Sequence, residues 1–331
     1  MPFYHENIFG GGVLMEYRRL GKSGVKVSEI ALGSWLTYGT ATERESALKC
    51  VKEAYEQGIN HFDCANIYGA TPHAAEEVLG EALEPYHRDS YVLTTKAFWP
   101  VGKGVNDRGL SRKHIFNQIE KSLKALKTDY VDIFYCHRYD PETDLEETLR
   151  ALDDLVTQGK VLYVGFSEWS ADRISAGIHL QKELNLHKFA ASQPEYNMLQ
   201  RKIESAVMPI CDDAGIGQVV WSPLAQGVLT GKYKKDNAVP KGSRADNDKI
   251  SKSMQRYLND ETLTKVERLE KVANELDLSL AQLALAWVLR KSSVSSALVG
   301  ATRPEQVTEN VKASGVSLSK ELLDKIDEVL N

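Results

Sequence analysis

Cysteine is scarce in this sequence: there are four in 331 residues, Cys50, Cys64, Cys136 and Cys211, and no two form a C-x-x-C pair. That spacing excludes a zinc knuckle or a dithiol redox motif and reads as free thiols in a reducing, cytoplasmic setting. The eight histidines include no H-x-H or H-E-x-x-H pair, so no metal site is readable. Long apolar runs are also missing. The most apolar stretch, 278–289, is interrupted by Ser279 and Gln282 and falls short of the roughly 20 residues a membrane span needs. Charge of one sign is not in excess: 41 Lys+Arg oppose 46 Asp+Glu, a net of −5. With no long basic run, phosphate backbones and anionic membrane surfaces find little to hold, and a small molecule becomes the expected partner. Residues 1–14 have neither a basic n-region nor a long apolar h-region, which argues against a secretory signal. This Gly-rich stretch before Met15 reads as a poorly ordered extension, with residues 15–331 as the folded domain.

What is present is a globular composition, 42% hydrophobic, enough for a large core. Short β-rich runs fall at 29–32, 60–63, 91–95, 130–135, 161–166, 190–193, 218–221 and 296–299. Helical periods follow each of them in turn, at 44–57, 74–83, 111–126, 144–158, 171–184, 203–214, 261–276 and 304–313. Ser111 suits an N-cap, Gly159 and Gly215 close helices, and Pro304 fits a first turn. Extra helices are expected at 279–291 and 320–330, and the long segment 224–260 reads as a flap over a cofactor or substrate. Eight such units without a break predict an α/β fold, a single-domain (β/α)₈ TIM barrel with a long loop after strand seven. A Rossmann pair of domains is the alternative. It would want G-x-G-x-x-G after the first strand, where the chain has Leu32-Gly33-Ser34-Trp35.

In a barrel the loops after the strands converge on one mouth, so residues at the strand ends are the candidates for chemistry. They are Asp63, Lys96, His137, Ser167, Gln193 and Trp221-Ser222, with Tyr68 five residues beyond Asp63. Singly, each has an ordinary alternative: a turn carboxylate, a rim charge, the start of a polar loop. Together they suit reduction of a carbonyl. An ammonium at Lys96, paired with Asp63, is expected to make the Tyr68 phenol more acidic, while His137 hydrogen-bonds the substrate oxygen. No side chain delivers hydride, so a nicotinamide or flavin must supply it. Trp221 offers a flat face to such a ring, and Ser167 and Gln193 offer bonds to a carboxamide. The segment from Gly300 through Arg303 to Gln306 opens a helix with backbone N–H groups suited to phosphate, and Lys232, Arg244 and Arg303 are candidate anion clamps. Tyr38, Trp99, Tyr139 and Trp169 fall in loops at the mouth and would line an apolar substrate pocket.

The run Gly58-Ile59-Asn60-His61-Phe62-Asp63-Cys64-Ala65-Asn66-Ile67-Tyr68-Gly69 and the strand Thr94-Thr95-Lys96 resemble the aldo-keto reductases. Leu110-Ser111-Arg112-Lys113-His114-Ile115 and Trp221-Ser222-Pro223-Leu224 are similar to the branch of potassium-channel β subunits and their bacterial relatives. The resemblance implies Tyr68 as general acid/base with Asp63, Lys96 and His137, and NADPH/NADP+ as cofactor. It implies Gly33, Ser34 and Trp35 near the nicotinamide, with Ser222, Leu224, Gly227 and Lys232 along the pyrophosphate. It also implies Arg244 and Arg303 at the 2′-phosphate, Gln306, Glu309 and Asn310 near adenine, and a homo-oligomer. Two positions depart from the pattern. His137 stands where channel β subunits carry Asn, and Glu168 stands after Ser167 where Asn or Arg is usual.

Three functions follow. The first is an NADPH-dependent reductase of aldehydes or ketones. The second is an NADPH-sensing subunit that reports occupancy to a partner, and the third is a Schiff-base lyase using Lys96.

Overall fold

The computed structural model describes residues 15–39, 42–235, 240–241, 243–246 and 254–331. The expected 1–14 extension and parts of the expected flap lie outside them. The chain folds as a closed barrel of eight parallel strands in the order β10-β3-β4-β5-β6-β7-β8-β9. The strands are β3 (Ile30–Gly33), β4 (His61–Asp63), β5 (Val92–Ala97), β6 (Val131–Cys136), β7 (Val161–Ser167), β8 (Phe189–Gln193), β9 (Gly217–Trp221) and β10 (Val294–Val299). The helices are α1 (Arg44–Glu56), α2 (Ala74–Leu83), α3 (Arg112–Leu126), α4 (Leu145–Thr157), α5 (Ala171–Glu183), α6 (Val207–Ala214), α7 (Asp260–Asn274) and α9 (Pro304–Val311). Two more, α8 (Leu280–Leu289) and α10 (Lys320–Leu330), match the extra helices expected from the sequence. No helix among the described residues is long and apolar enough to cross a membrane.

Local chemistry sets the boundaries. Ser111 caps α3 by accepting from His114 N at 3.3 Å, Asp144 caps α4 by accepting from Glu146 N at 2.7 Å, and Ser279 and Gln282 form a reciprocal capping box on α8. Gly215 closes α6 at φ 77°. The helix expected over 203–214 is two pieces, a 3₁₀ turn Lys202–Ser205 and then α6, broken where Ala206 adopts φ −144°.

A hairpin absent from the sequence reading, β1 (Tyr17–Arg19) antiparallel to β2 (Lys26–Ser28), closes the end of the barrel opposite the mouth. Its Leu20 and Val27 join the barrel-interior cluster with Ala31, Ile133, Tyr135, Ala191, Val219 and Leu298. Ser296 Oγ on β10 donates to Ser28 O at 2.7 Å, and Lys22 N donates to Gly215 O at 2.8 Å, which ties the hairpin to the strand bases. The larger core fills the shell between strands and helices. All four cysteines are buried free thiols.

Candidate active site

Parallel register brings the strand ends to one level. Asp63 lies opposite Gly33 on one side and Thr94 on the other, Lys96 opposite Tyr135, and Ser167 opposite Gln193. Side chains two residues apart on a strand share a face, so those at this level point together into the mouth.

Asp63 and Lys96 form its base. Lys96 is fully buried and its Nζ donates to Asp63 Oδ2 at 2.5 Å and to Cys64 O at 2.7 Å. Asp63 Oδ1 accepts from Thr94 Oγ1 at 2.6 Å and from Gln193 Nε2 at 2.9 Å. An ammonium so enclosed persists only with a charged partner and satisfied hydrogen bonds, and this one has both.

Tyr68 reaches over this pair from the loop between β4 and α2. Its N–H donates to Ala65 O at 3.0 Å, and its carbonyl accepts from Ala75 N at 3.1 Å. The phenol oxygen is 3.4 Å from His137 Nε2, and Lys96 Nζ sits 4.9 Å from the centre of the phenol ring. The four residues expected to act together therefore meet, but the expected acidification of Tyr68 is corrected. Burial first, then the Asp63 carboxylate with a lesser push from Cys64, hold the phenol well above its ordinary pKa, and Arg138 supplies the opposing pull. Lys96 is spent on Asp63. Burial, Lys96 and Arg138 push the His137 imidazole well below its ordinary value, so the ring is neutral. Its Nδ1 is enclosed without a partner among the described residues.

The loop carrying Tyr68 rests on a group the sequence reading missed. Glu76, fully buried in the first turn of α2, accepts from Thr95 Oγ1 and lies 2.6 Å from His73 Nδ1. The available signal was a carboxylate on the same helix face as Ala75, Val78, Leu79 and Ala82.

On the other side of the mouth, Ser167 Oγ donates to Gln193 O at 2.8 Å. Trp221 meets Trp35 edge to face, with centroids 5.6 Å apart. Glu168 is directed at this ring: its Oε1 accepts from Trp221 Nε1 at 2.9 Å and from Glu195 N at 2.6 Å. Ser34, buried beside Gly33, bonds Asp63 O through both its N–H and its hydroxyl.

Beyond Trp221 the backbone turns through left-handed residues, Ser222 at φ 55°, Ala225 at 46°, Gln226 at 60° and Gly227 at 96°, with Leu224 half-buried between them. A Cβ on Gly227 would lie 3.3 Å from Lys232 Nζ. Lys232 and Arg303 are both exposed, and neither pairs with a carboxylate among the described residues. The Arg244 side chain lies outside the described residues. After Gly300, the N–H of Thr302 donates to Gln306 Oε1 at 2.8 Å. Asn310 is buried nearby, while Glu309 is drawn to Gln282 Nε2 at 3.1 Å and Lys312 Nζ at 2.5 Å.

The aromatic residues expected in the substrate pocket divide. Trp99 is 38% exposed, with its ring 6.4 Å from that of His137. Tyr38 and Trp169 are buried, at 1% and 3% exposed, and belong to the core, with Trp169 stacked on Phe166 and meeting Phe189 edge to face. Tyr139 packs edge-on to Trp169 and beneath Arg173. Trp35 is 37% exposed.

Residues 29–331 match the sequence profile of the aldo/keto reductase family. Two proteins described as a probable voltage-gated potassium channel subunit beta, from Oryza sativa subsp. japonica and Arabidopsis thaliana, are each 43% identical over 321 residues. Those alignments cover 96% of this chain and 97% of each relative. A putative voltage-gated potassium channel subunit beta from Schizosaccharomyces pombe (strain 972 / ATCC 24843) is 42% identical over 324 residues, 95% of this chain and 93% of that protein.

Proposed function

Because the chain belongs to the aldo/keto reductase family, we propose that it is an NADPH-dependent reductase converting aldehydes or ketones to alcohols, with Tyr68 as proton donor. The observation that carries this reading is the convergence of Tyr68, His137, Lys96 and Asp63 at one mouth, with a phenol oxygen 3.4 Å from a neutral imidazole.

The donor set fits the cofactor. Trp221, held at its indole N–H by Glu168, offers a fixed face for the nicotinamide, and Ser167 and Gln193 lie beside it for the carboxamide. Gly227 turns at φ 96°, a conformation other residues rarely adopt, and Lys232 and Arg303, which pair with no carboxylate among the described residues, are cations for the phosphates. When bound, NADPH supplies the hydride. His137, kept neutral, donates a hydrogen bond that holds the carbonyl oxygen beside Tyr68. Tyr68, kept protonated by burial and by Asp63, gives its proton to that oxygen as negative charge develops. Lys96 and Asp63 fix the floor on which the phenol rests.

The test is Tyr68→Phe. NADPH binding, followed by tryptophan quenching, is expected to persist while turnover falls by roughly 10² to 10⁴. Near wild-type turnover would overturn the assignment. A second reading is favoured by the near full-length identity to proteins named as channel β subunits: an NADPH-occupied subunit that assembles with a partner and turns over slowly. Tight cofactor binding with no turnover across a broad aldehyde panel would favour it. The lyase reading is weakened by Lys96, whose nitrogen is buried and bonded as an ammonium rather than presented as a free amine.

A further inference from the structure

We propose that the mouth selects carbonyl compounds that also carry an oxyanion, a carboxylate or phosphate, and that Arg138 recognises it. This inference rests on the reductase reading and adds the substrate class.

Arg138 follows His137 just past the end of β6. Its Nη1 donates to His137 O at 2.5 Å and to Ser167 Oγ at 3.4 Å, which fixes the guanidinium at the lip of the site. The planar group lies 5.4 Å from the centre of the Trp99 ring. Its Nε and Nη2 donors meet no acceptor, and no carboxylate pairs with it, among the described residues. That sets it apart. The other half-buried arginines each have a carboxylate: Arg18 pairs with Glu29, Arg88 with Asp132, Arg201 with Glu204 and Asp327, and Arg290 with Glu204.

A partly desolvated guanidinium is costly without an anion, so one left unpaired beside reactive groups calls for an anion from outside. The acids near it are committed elsewhere. Asp140, two residues on, accepts from Leu110 N, Thr143 Oγ1 and Glu142 N. Glu168 accepts from Trp221 and Glu195 N. The charge of Arg138 is felt by both Tyr68 and His137, so an anion held there lies within electrostatic reach of the reacting carbonyl. The fork geometry of arginine matches two oxygens of a carboxylate or phosphate at once.

The experiment compares kcat/KM for 4-formylbenzoate and its methyl ester, which differ in charge at the ring position opposite the aldehyde, and for glyceraldehyde 3-phosphate and glyceraldehyde. Wild-type protein with NADPH is expected to prefer the anionic member of at least one pair by tenfold or more, and the pair preferred tells carboxylate from phosphate. Arg138→Gln is expected to bring that ratio to near one, and Arg138→Lys to keep part of it. Because the readout is a ratio within one variant, loss of folded protein lowers both rates and leaves it unchanged. No anionic preference in wild type, or a ratio unaltered in Arg138→Gln, would overturn the proposal while the reductase reading stands. Reduction of none of the four aldehydes, with NADPH binding intact, would remove both.

Discussion

Two titrations at the mouth fix how turnover should respond to pH. Tyr68 must carry its proton to donate it, and burial with Asp63 holds that proton to above the ordinary phenol value of about 10. His137, pushed far below about 6.5, stays neutral through the same range. On the reductase reading, kcat/KM for the carbonyl compound should therefore be flat from about pH 6 to about pH 9. A steady-state profile with a limb centred between those values would refute the protonation states assigned to both. Deeper in the barrel, His61 is fully buried with neither ring nitrogen partnered among the described residues, and burial lowers its pKa to about 4. The unfolded chain then binds a proton that the folded one refuses between about pH 6.5 and about pH 4. Stability is complete above the upper value and falls by up to about 3 kcal/mol on the way to the lower. His61→Phe should flatten that acid loss, seen as a smaller drop in urea midpoint between pH 7 and pH 5 than in wild type. Much of this scale was legible in advance, because Asp63, Lys96 and His137 are set by counting to the ends of β-rich runs. The coupling of Glu168 to Trp221 and of Glu76 to His73 was not, since those contacts depend on side-chain direction across separate elements.

Among the elements, α2 and α3 pack unusually close at Gly80. An alanine there would ordinarily favour a helix by roughly 0.5–1 kcal/mol over glycine. Here the added Cβ would lie 2.7 Å from Ala125 O of α3, against backbone that cannot swing aside. Overpacking of that kind costs about 1–3 kcal/mol, so the sign reverses and Gly80→Ala should lower the urea midpoint. A gain in stability would show that α3 gives way. The periodic elements were readable to within a few residues: the run expected at 161–166 is Val161–Ser167, and that at 218–221 is Gly217–Trp221. The hairpin β1–β2 escaped because three-residue strands of sequence YRR and KVS show no alternation long enough to stand out. The start of α6 escaped because the apolar pattern runs on through Ile203. Pro209, which is comfortable only in a first turn, was the cue that the helix begins later.

Taken whole, the molecule is one barrel with its cofactor-type residues spread from Gly33 near its beginning to Asn310 near its end, so a dinucleotide bound across them would brace the entire fold. Ligand at about 100 times its dissociation constant adds about 2.7 kcal/mol. Melting curves should therefore move up with NADPH, and further than with the same concentration of NADH, since Lys232 and Arg303 are exposed and pair with no carboxylate among the described residues. Arg303→Gln should narrow that difference, and equal shifts for the two cofactors in wild type would sink the assignment of these cations. The overall architecture was the most legible feature of all, because eight strand–helix alternations in order leave a parallel closed sheet as the simplest arrangement.

The hairpin with Leu20 and Val27 pressed into the strand bases has a further consequence. With its base covered by the hairpin and its interior filled by side chains such as Ile133, Tyr135 and Val219, the barrel leaves a ligand only the rim where the strands end. On the reductase reading, a dinucleotide laid against Trp221 and a carbonyl compound above Tyr68 would share that rim.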